Sequence, residues 1–172
     1  MNKKCHHIVC SLTLGALLAV LVLTAGCSTS ASGLSRQERK AMVAAAVQRN
    51  LSNLHFKINV NTMYPQRGVP KHLDYGYEVK VQGDSLYSYL PYFGRAYNIP
   101  YGGGKGLNFS ERIAEKQVTH PKAGLTSVVL FVQNNEDQYL YTIEVFDNGK
   151  ASVYVRSRER EAISYSGAMV IE

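Results

Sequence analysis

The 172-residue chain has no tryptophan and three cysteines, Cys5, Cys10 and Cys27, all within its first 27 residues. No thiol follows Cys27, which excludes disulfide staples, thiol catalysis and cysteine-ligated metal from the remainder. That remainder must therefore be held together by a core of its own, and 45% hydrophobic residues supply enough material for one. Long apolar runs are also scarce: residues 8–25 (IVCSLTLGALLAVLVLTA) form the single example, and beyond it polar and apolar residues alternate. No basic run is interleaved with aromatics, so nucleic acid is not an expected partner. His55, His72 and His120 stand too far apart for a metal motif, and no metal or cofactor is expected. A nucleophile elbow is missing too, as is any Ser-His-Asp pattern.

What is present at the start is an address. Residues 1–7 carry Lys3 and Lys4 and no acid, the apolar run follows, and Leu23-Thr24-Ala25-Gly26-Cys27 closes it. A basic start, an apolar run and small residues are the three parts of a secretory signal. Cysteine directly after the small pair resembles the bacterial lipobox, although Leu23 sits one place early. The expectation is a signal peptide over 1–26, lipid attachment (palmitate among the acyl chains) at Cys27, and a tether over 27–34 with a reach of roughly 15 Å. The alternative is an uncleaved amino-terminal membrane helix, since the run is near the minimum spanning length. Residue 28 is Ser and not Asp, and the tether lacks an acidic cluster, so the expected place is the outer membrane facing the periplasm.

Removing residues 1–26 takes two lysines and no acid from a chain of 19 basic and 13 acidic residues, leaving a net charge of +4. Arg36, Arg39, Lys40 and Arg49 gather near the lipid end, which suits an anionic membrane surface or, more plainly, a solvated helix face. One globular domain is expected over 35–172. Ser35-Arg36-Gln37-Glu38 has capping-box spacing, and Val43, Val47, Leu51 and Leu54 form one apolar stripe, predicting a helix over about 36–52.

After the helix the apolar period becomes two. Strands are expected at Phe56 to Val60, Tyr75 to Val81, Leu86 to Leu90, around Gly106 to Arg112, briefly at 115–119, and then at Ser127 to Gln133, Tyr139 to Phe146, Ala151 to Ser157 and Ala162 to Ile171. Gly83-Asp84 suits a type II′ hairpin, Asn134 to Asp137 a longer one, and Asn148-Gly149 a type I′ turn. Short turns force antiparallel neighbours. The fold class is α+β, mainly β: one N-terminal helix packed on a curved antiparallel meander of seven to eight strands, across its concave face or open end. A closed lipocalin-like β-barrel is the alternative.

The chemistry-bearing residues concentrate in Leu86 to Tyr97 (LYSYLPYFGRAY) and Pro100 to Phe109 (PYGGGKGLNF). Tyr92, Phe93, Tyr97 and Tyr101 stand beside Arg95 on a Gly- and Pro-rich connection. Such rings, with Arg95 beside them, can line a surface that stacks on a sugar or holds an amphipathic ligand; equally they can plug an open end of the sheet, with Arg95 stacked on one of them. Gly102-Gly103-Gly104-Lys105-Gly106 lacks Walker spacing and precedes a strand, so it is not a phosphate loop. Glu111, Glu115, Glu136, Asp137 and Glu144 could pair only through the fold. Arg156, Arg158 and Arg160 alternate and are expected to share a solvated strand edge.

Together with Asp147-Asn148-Gly149-Lys150-Ala151 and Arg160-Glu161-Ala162-Ile163-Ser164-Tyr165-Ser166-Gly167, the LPYFGRAY stretch resembles the Bacteroidota lipoprotein family known as domain of unknown function 4251, over roughly residues 35–172. The resemblance implies a lipid-anchored or secreted envelope protein and supplies no activity, ligand or catalytic residue. Two function classes follow. One is a binding or scaffolding module for a glycan, lipid or protein, anchored to the membrane through Cys27. The other is a periplasmic hydrolase whose carboxylates assemble only in the fold. The absence of any catalytic motif favours the first.

Overall fold

The computed structural model of the chain describes residues 33–98 and 105–171. Contacts divide the chain into two compact units, Met1–Ser35 and Arg36–Glu172, and every described helix and strand lies in the second. The signal run, Cys27 and most of its tether, Tyr101 and Gly102 to Gly104 lie outside the described residues. Among the described residues no helix is long and apolar enough to cross a membrane.

The helix α1 (Arg36–Ser52) begins directly after Ser35, as the capping box predicts. It buries Val47 and Leu51 in the core, with Val43 and Leu54 packed partly against it. Leu54 then turns the chain at φ 48°, and its carbonyl accepts a hydrogen bond from Gly83 N at 2.9 Å. That external bond holds a conformation that costs a non-glycine residue about 1–2 kcal/mol.

Nine strands follow among the described residues: β1 (His55–Pro65), β2 (Lys71–His72), β3 (Glu78–Gln82), β4 (Ser85–Leu90), β5 (Leu107–Lys122), β6 (Leu125–Gln133), β7 (Gln138–Phe146), β8 (Lys150–Ser157) and β9 (Ile163–Met169). From β3 to β9 each pairs antiparallel with the next. The meander closes because β1 carries β3 on one edge, from His55↔Gln82 to Asn59↔Glu78, and β9 on the other, from Ile58↔Met169 to Pro65↔Ile163. The result is an eight-stranded barrel, with β2 as a two-residue extension beside Thr62 and Met63 of β1. The helix, the meander and the eight strands of the barrel agree with expectation, β2 is an addition to it, and the closed-barrel alternative describes how the sheet ends.

Closure gives each strand an inside. Phe56, Ile58 and Val60 of β1, Val79 and Val81 of β3, Val128, Leu130 and Val132 of β6 and Ile143 and Val145 of β7 all project into one buried cluster, as period two requires. Polar atoms inside are matched: the Tyr141 hydroxyl donates to Ser88 Oγ at 2.9 Å, and Ser88 Oγ donates to Leu107 O at 2.7 Å. Strand direction sorts the connections between two mouths. The β3–β4, β5–β6 and β7–β8 turns share the mouth where α1 lies, and Gln48 Nε2 of α1 donates to Thr126 Oγ1 (3.2 Å) and Asp147 Oδ1 (3.0 Å) there. The β4–β5, β6–β7 and β8–β9 connections meet at the other mouth.

Several expectations differ in detail. The strands expected at 106–112 and 115–119 are one, β5, kinked where the register shifts between Ile113 and Glu115; the extra residue, Ala114, interrupts the alternation without ending the strand. Tyr75 belongs to no strand and is fully exposed in the β2–β3 turn. Gly83-Asp84 has positive φ at Gly83 alone, as a type II′ turn requires. Asn148-Gly149 is not type I′, because only Gly149 has positive φ (80°) and its N–H donates to Phe146 O at 2.8 Å. Asp147 joins the loop, giving a three-residue connection with glycine at the left-handed position.

Candidate functional site: an aromatic rim braced by buried charge

The mouth opposite α1 brings Tyr92, Phe93, Arg95 and Tyr97 together with residues 158–162, which neighbour them nowhere in sequence. Pro91 has no N–H to continue a ladder, and β4 stops at Leu90. The connection is nevertheless fixed. Tyr97 N donates to Glu159 O (2.7 Å) and Glu161 N to Arg95 O (2.9 Å), which makes Ala96 and Arg160 an isolated antiparallel bridge. Arg95 N adds a bond to Glu161 Oε2 at 3.1 Å, and the Tyr165 hydroxyl donates to Pro91 O at 2.7 Å.

The aromatic residues divide by role. Tyr92 is half-buried, with its hydroxyl 2.8 Å from Arg95 O and 3.1 Å from Glu161 O. Burial first, and then the Glu161 carboxylate, hold its phenol above the ordinary value of 10.0. Tyr92 is a brace. Phe93 and Tyr97 are not plugs either, being 48% and 68% exposed, and Arg95 is exposed beside them. Lys71 Nζ lies 3.6 Å from the centre of the Phe93 ring, a cation–π contact that holds the ring outward.

Beneath the rim lies buried charge, in a different place from the expected solvated edge. Arg160 does not share a solvated edge with Arg156 and Arg158: β8 ends at Ser157, and Arg160 is 8% exposed. Its guanidinium stands 3.8 Å from Glu136 Oε2 and 5.5 Å from the Tyr92 ring centre, and its Nε has no hydrogen-bond partner among the described residues. Buried Asp137 accepts from the N–H groups of Gln138 (2.7 Å), Arg158 (3.0 Å) and Glu159 (3.2 Å), tying the β6–β7 turn to the β8–β9 connection. Glu136 accepts from Lys105 N at 3.1 Å, and Glu161 pairs with Arg67 Nε at 3.3 Å. The breakdown of period two at Arg158-Glu159-Arg160-Glu161 is the signal that could have separated these residues from β8.

Of the carboxylates singled out from sequence, Glu136 and Asp137 reach this mouth, and both are engaged by the donors just named. Glu144 lies on β7 with Ser152 Oγ at 3.4 Å, and Glu111 and Glu115 lie on β5. His55, His72 and His120 are dispersed and exposed, and no group of three metal-binding side chains occurs among the described residues.

A small closed barrel with a helix across one mouth and a braced aromatic rim at the other is the class of molecule these elements define. The chain belongs to the family described as domain of unknown function DUF4251, whose sequence model matches residues 38–169. Among solved structures it is similar to a DUF4251 family protein from Bacteroides eggerthii DSM 20697, at 14% identity and a TM-score of 0.60, over 79% of this chain and 92% of that one. At that identity the likeness is one of fold. None of the curated proteins compared with the chain matches it.

Proposed function

We propose that the protein is a binding module of the bacterial cell envelope, anchored by lipid at Cys27 to the outer membrane on its periplasmic side. Its rim takes a glycan, lipid or protein through Phe93, Arg95 and Tyr97, with Tyr101 following on the same connection. The observation that carries this is the exposure of Phe93 and Tyr97 on a backbone held by hydrogen bonds to Glu159 and Glu161. A pre-ordered loop loses little entropy when it binds, and a rigid aromatic beside a guanidinium is the side-chain set that dominates binding surfaces. The exposed Arg36, Arg39 and Lys40 at the start of α1 suit a position next to anionic headgroups. A carboxylate hydrolase is less well supported, because Glu136, Asp137 and Glu161 are already engaged by backbone amides and arginines.

The test pairs melting with binding on Phe93→Ala, Arg95→Ala and Tyr97→Ala, using a glycan array and vesicles of phosphatidylethanolamine with phosphatidylglycerol. Exposed rings should change stability by no more than about 0.5 kcal/mol, while each hot-spot variant weakens binding by about tenfold or more. Variants that melt far earlier yet bind normally when folded would make the rim architecture and refute the reading.

A further inference from the structure

The outer wall of the barrel carries a cleft, remote in chemistry from the rim loop, that the reading above leaves unused. It lies between β1 and the His72–Tyr77 segment and has a volume of about 620 Å3, within the roughly 300–1,000 Å3 of small-ligand pockets. Its construction begins at the closing seam. Gly167 of β9 approaches β1 so closely that a Cβ there would overlap Asn59 O, and the β1–β9 register shifts between Val60 and Thr62. Asn61 is the extra residue, and a bulge re-aims the side chain it carries. On the opposite edge of β1, Leu73 N donates to Asn61 O and Val60 N donates to Tyr77 O, each at 2.9 Å. Between these two anchors residues 74–76 loop outward, with Gly76 at φ 107° making the reversal and Tyr75 left fully exposed.

The lining selects by charge and by hydrogen-bond type. Lys57 and Glu78 form an ion pair at 3.3 Å, so Asp74 supplies the remaining charge, and a phosphorylated or polyanionic ligand is disfavoured. Asn59 and Asn61 each offer both a donor and an acceptor. Thr62 Oγ1 donates to Asn61 Oδ1 at 3.1 Å, which leaves the amide nitrogen as a donor for a ligand. Groups that both give and receive hydrogen bonds match hydroxyls, and a flat exposed tyrosine matches the apolar face of a sugar ring. We infer that this cleft binds a neutral saccharide, with the ring stacked on Tyr75 and its hydroxyls held by Asn59, Asn61 and Asp74. This site is independent of the rim, and either can fail without the other.

The protein should be titrated with glucose, galactose, mannose, N-acetylglucosamine and their disaccharides, following Asn and Tyr resonances by NMR, with inorganic phosphate as a comparison. At least one sugar should shift Asn59, Asn61 and Tyr75 saturably. Tyr75→Ala should weaken it about tenfold or more with an unchanged melting temperature, since the ring packs on nothing. Shifts confined to Phe93 and Tyr97 would overturn this site while supporting the rim. No shift with any sugar, stronger binding of phosphate, or undiminished binding by Tyr75→Ala would also overturn it.

Discussion

Replacing Gly167 by alanine tests how the barrel closes. The φ of Gly167 is not in the left-handed region, so alanine is conformationally acceptable and any penalty is steric. A Cβ would overlap Asn59 O and lie 2.9 Å from Asn59 C and 3.0 Å from Val60 Cα. All three are backbone atoms, so no rotamer change relieves the contact and β9 must move away from β1. Its neighbours in the ladder, Ala168↔Asn59 and Ser166↔Thr62, move with it. Losing two ladder hydrogen bonds costs about 1 kcal/mol each, and residual crowding adds about 1–3 kcal/mol. The sum, about 3–5 kcal/mol, is a large share of a typical stability of about 5–15 kcal/mol. With a urea slope of about 2 kcal/mol/M, the midpoint should fall by about 1.5–2.5 M. Because the chain has no tryptophan, unfolding is followed by circular dichroism, and amide exchange should quicken first at Ser166 and Ala168. Gly33→Ala, with nothing within 4 Å of a Cβ, serves as the comparison and should shift stability by no more than about 0.5 kcal/mol. A Gly167→Ala midpoint equal to wild type would refute the close-approach argument.

Other expectations are more local. Gly149→Val combines φ 80° with a Cβ position 3.2 Å from Ile171 Cδ1 and should cost about 1–3 kcal/mol in a urea melt; an unchanged midpoint would count against the turn. Burial holds the Tyr139, Tyr141 and Tyr165 phenols above their ordinary value of 10.0, whereas the unfolded chain releases those protons near 10. Their contribution to stability is therefore complete below about pH 10 and declines as pH rises further. Phenolate absorbance should rise cooperatively with alkaline unfolding, and a smooth rise to full amplitude in a folded protein would contradict their burial. Mass spectrometry of the mature protein should find acylated Cys27 and no residues 1–26, and Cys27→Ala should retain them; an unmodified thiol at residue 27 would remove the anchor.

Strands were legible where one face meets the core and the other meets water. β6, β7 and β8 show Val128-Leu130-Val132, Tyr139-Tyr141-Ile143-Val145 and Val153-Val155 at period two, and their limits differ from expectation by one or two residues. β5 looks like two pieces in the sequence because residues 114–122 are exposed on both faces, so nothing in their hydrophobicity alternates. Tyr75 and Tyr77 alternate with Val79 and Val81, although the first lies in a turn; ring spacing alone cannot separate a strand from the loop that feeds it. Asn148-Gly149 marked the right place and the wrong geometry, since the dipeptide does not reveal whether Asp147 belongs to the strand or the loop.

The pairing that closes the barrel, offered by the sequence only as an alternative, and the rim network share a reason for being hard to see: each depends on residues far apart in the chain. The seam joins Ile58 to Met169, and its sequence trace is Gly167, a glycine inside a strand where a close backbone approach is the usual meaning. At the rim, Arg160 looks like one more surface arginine until Glu136, Tyr92 and the Ala96 bridge surround it. A charge in that position is costly unless its partners are held in place, and the partners come from β6–β7, β4–β5 and β8–β9 at once. The same arrangement that conceals the network from a linear reading therefore makes the rim rigid. A rigid rim is what allows Phe93 and Tyr97 to remain exposed without collapsing onto the barrel, and it ties the functional proposal to the fold.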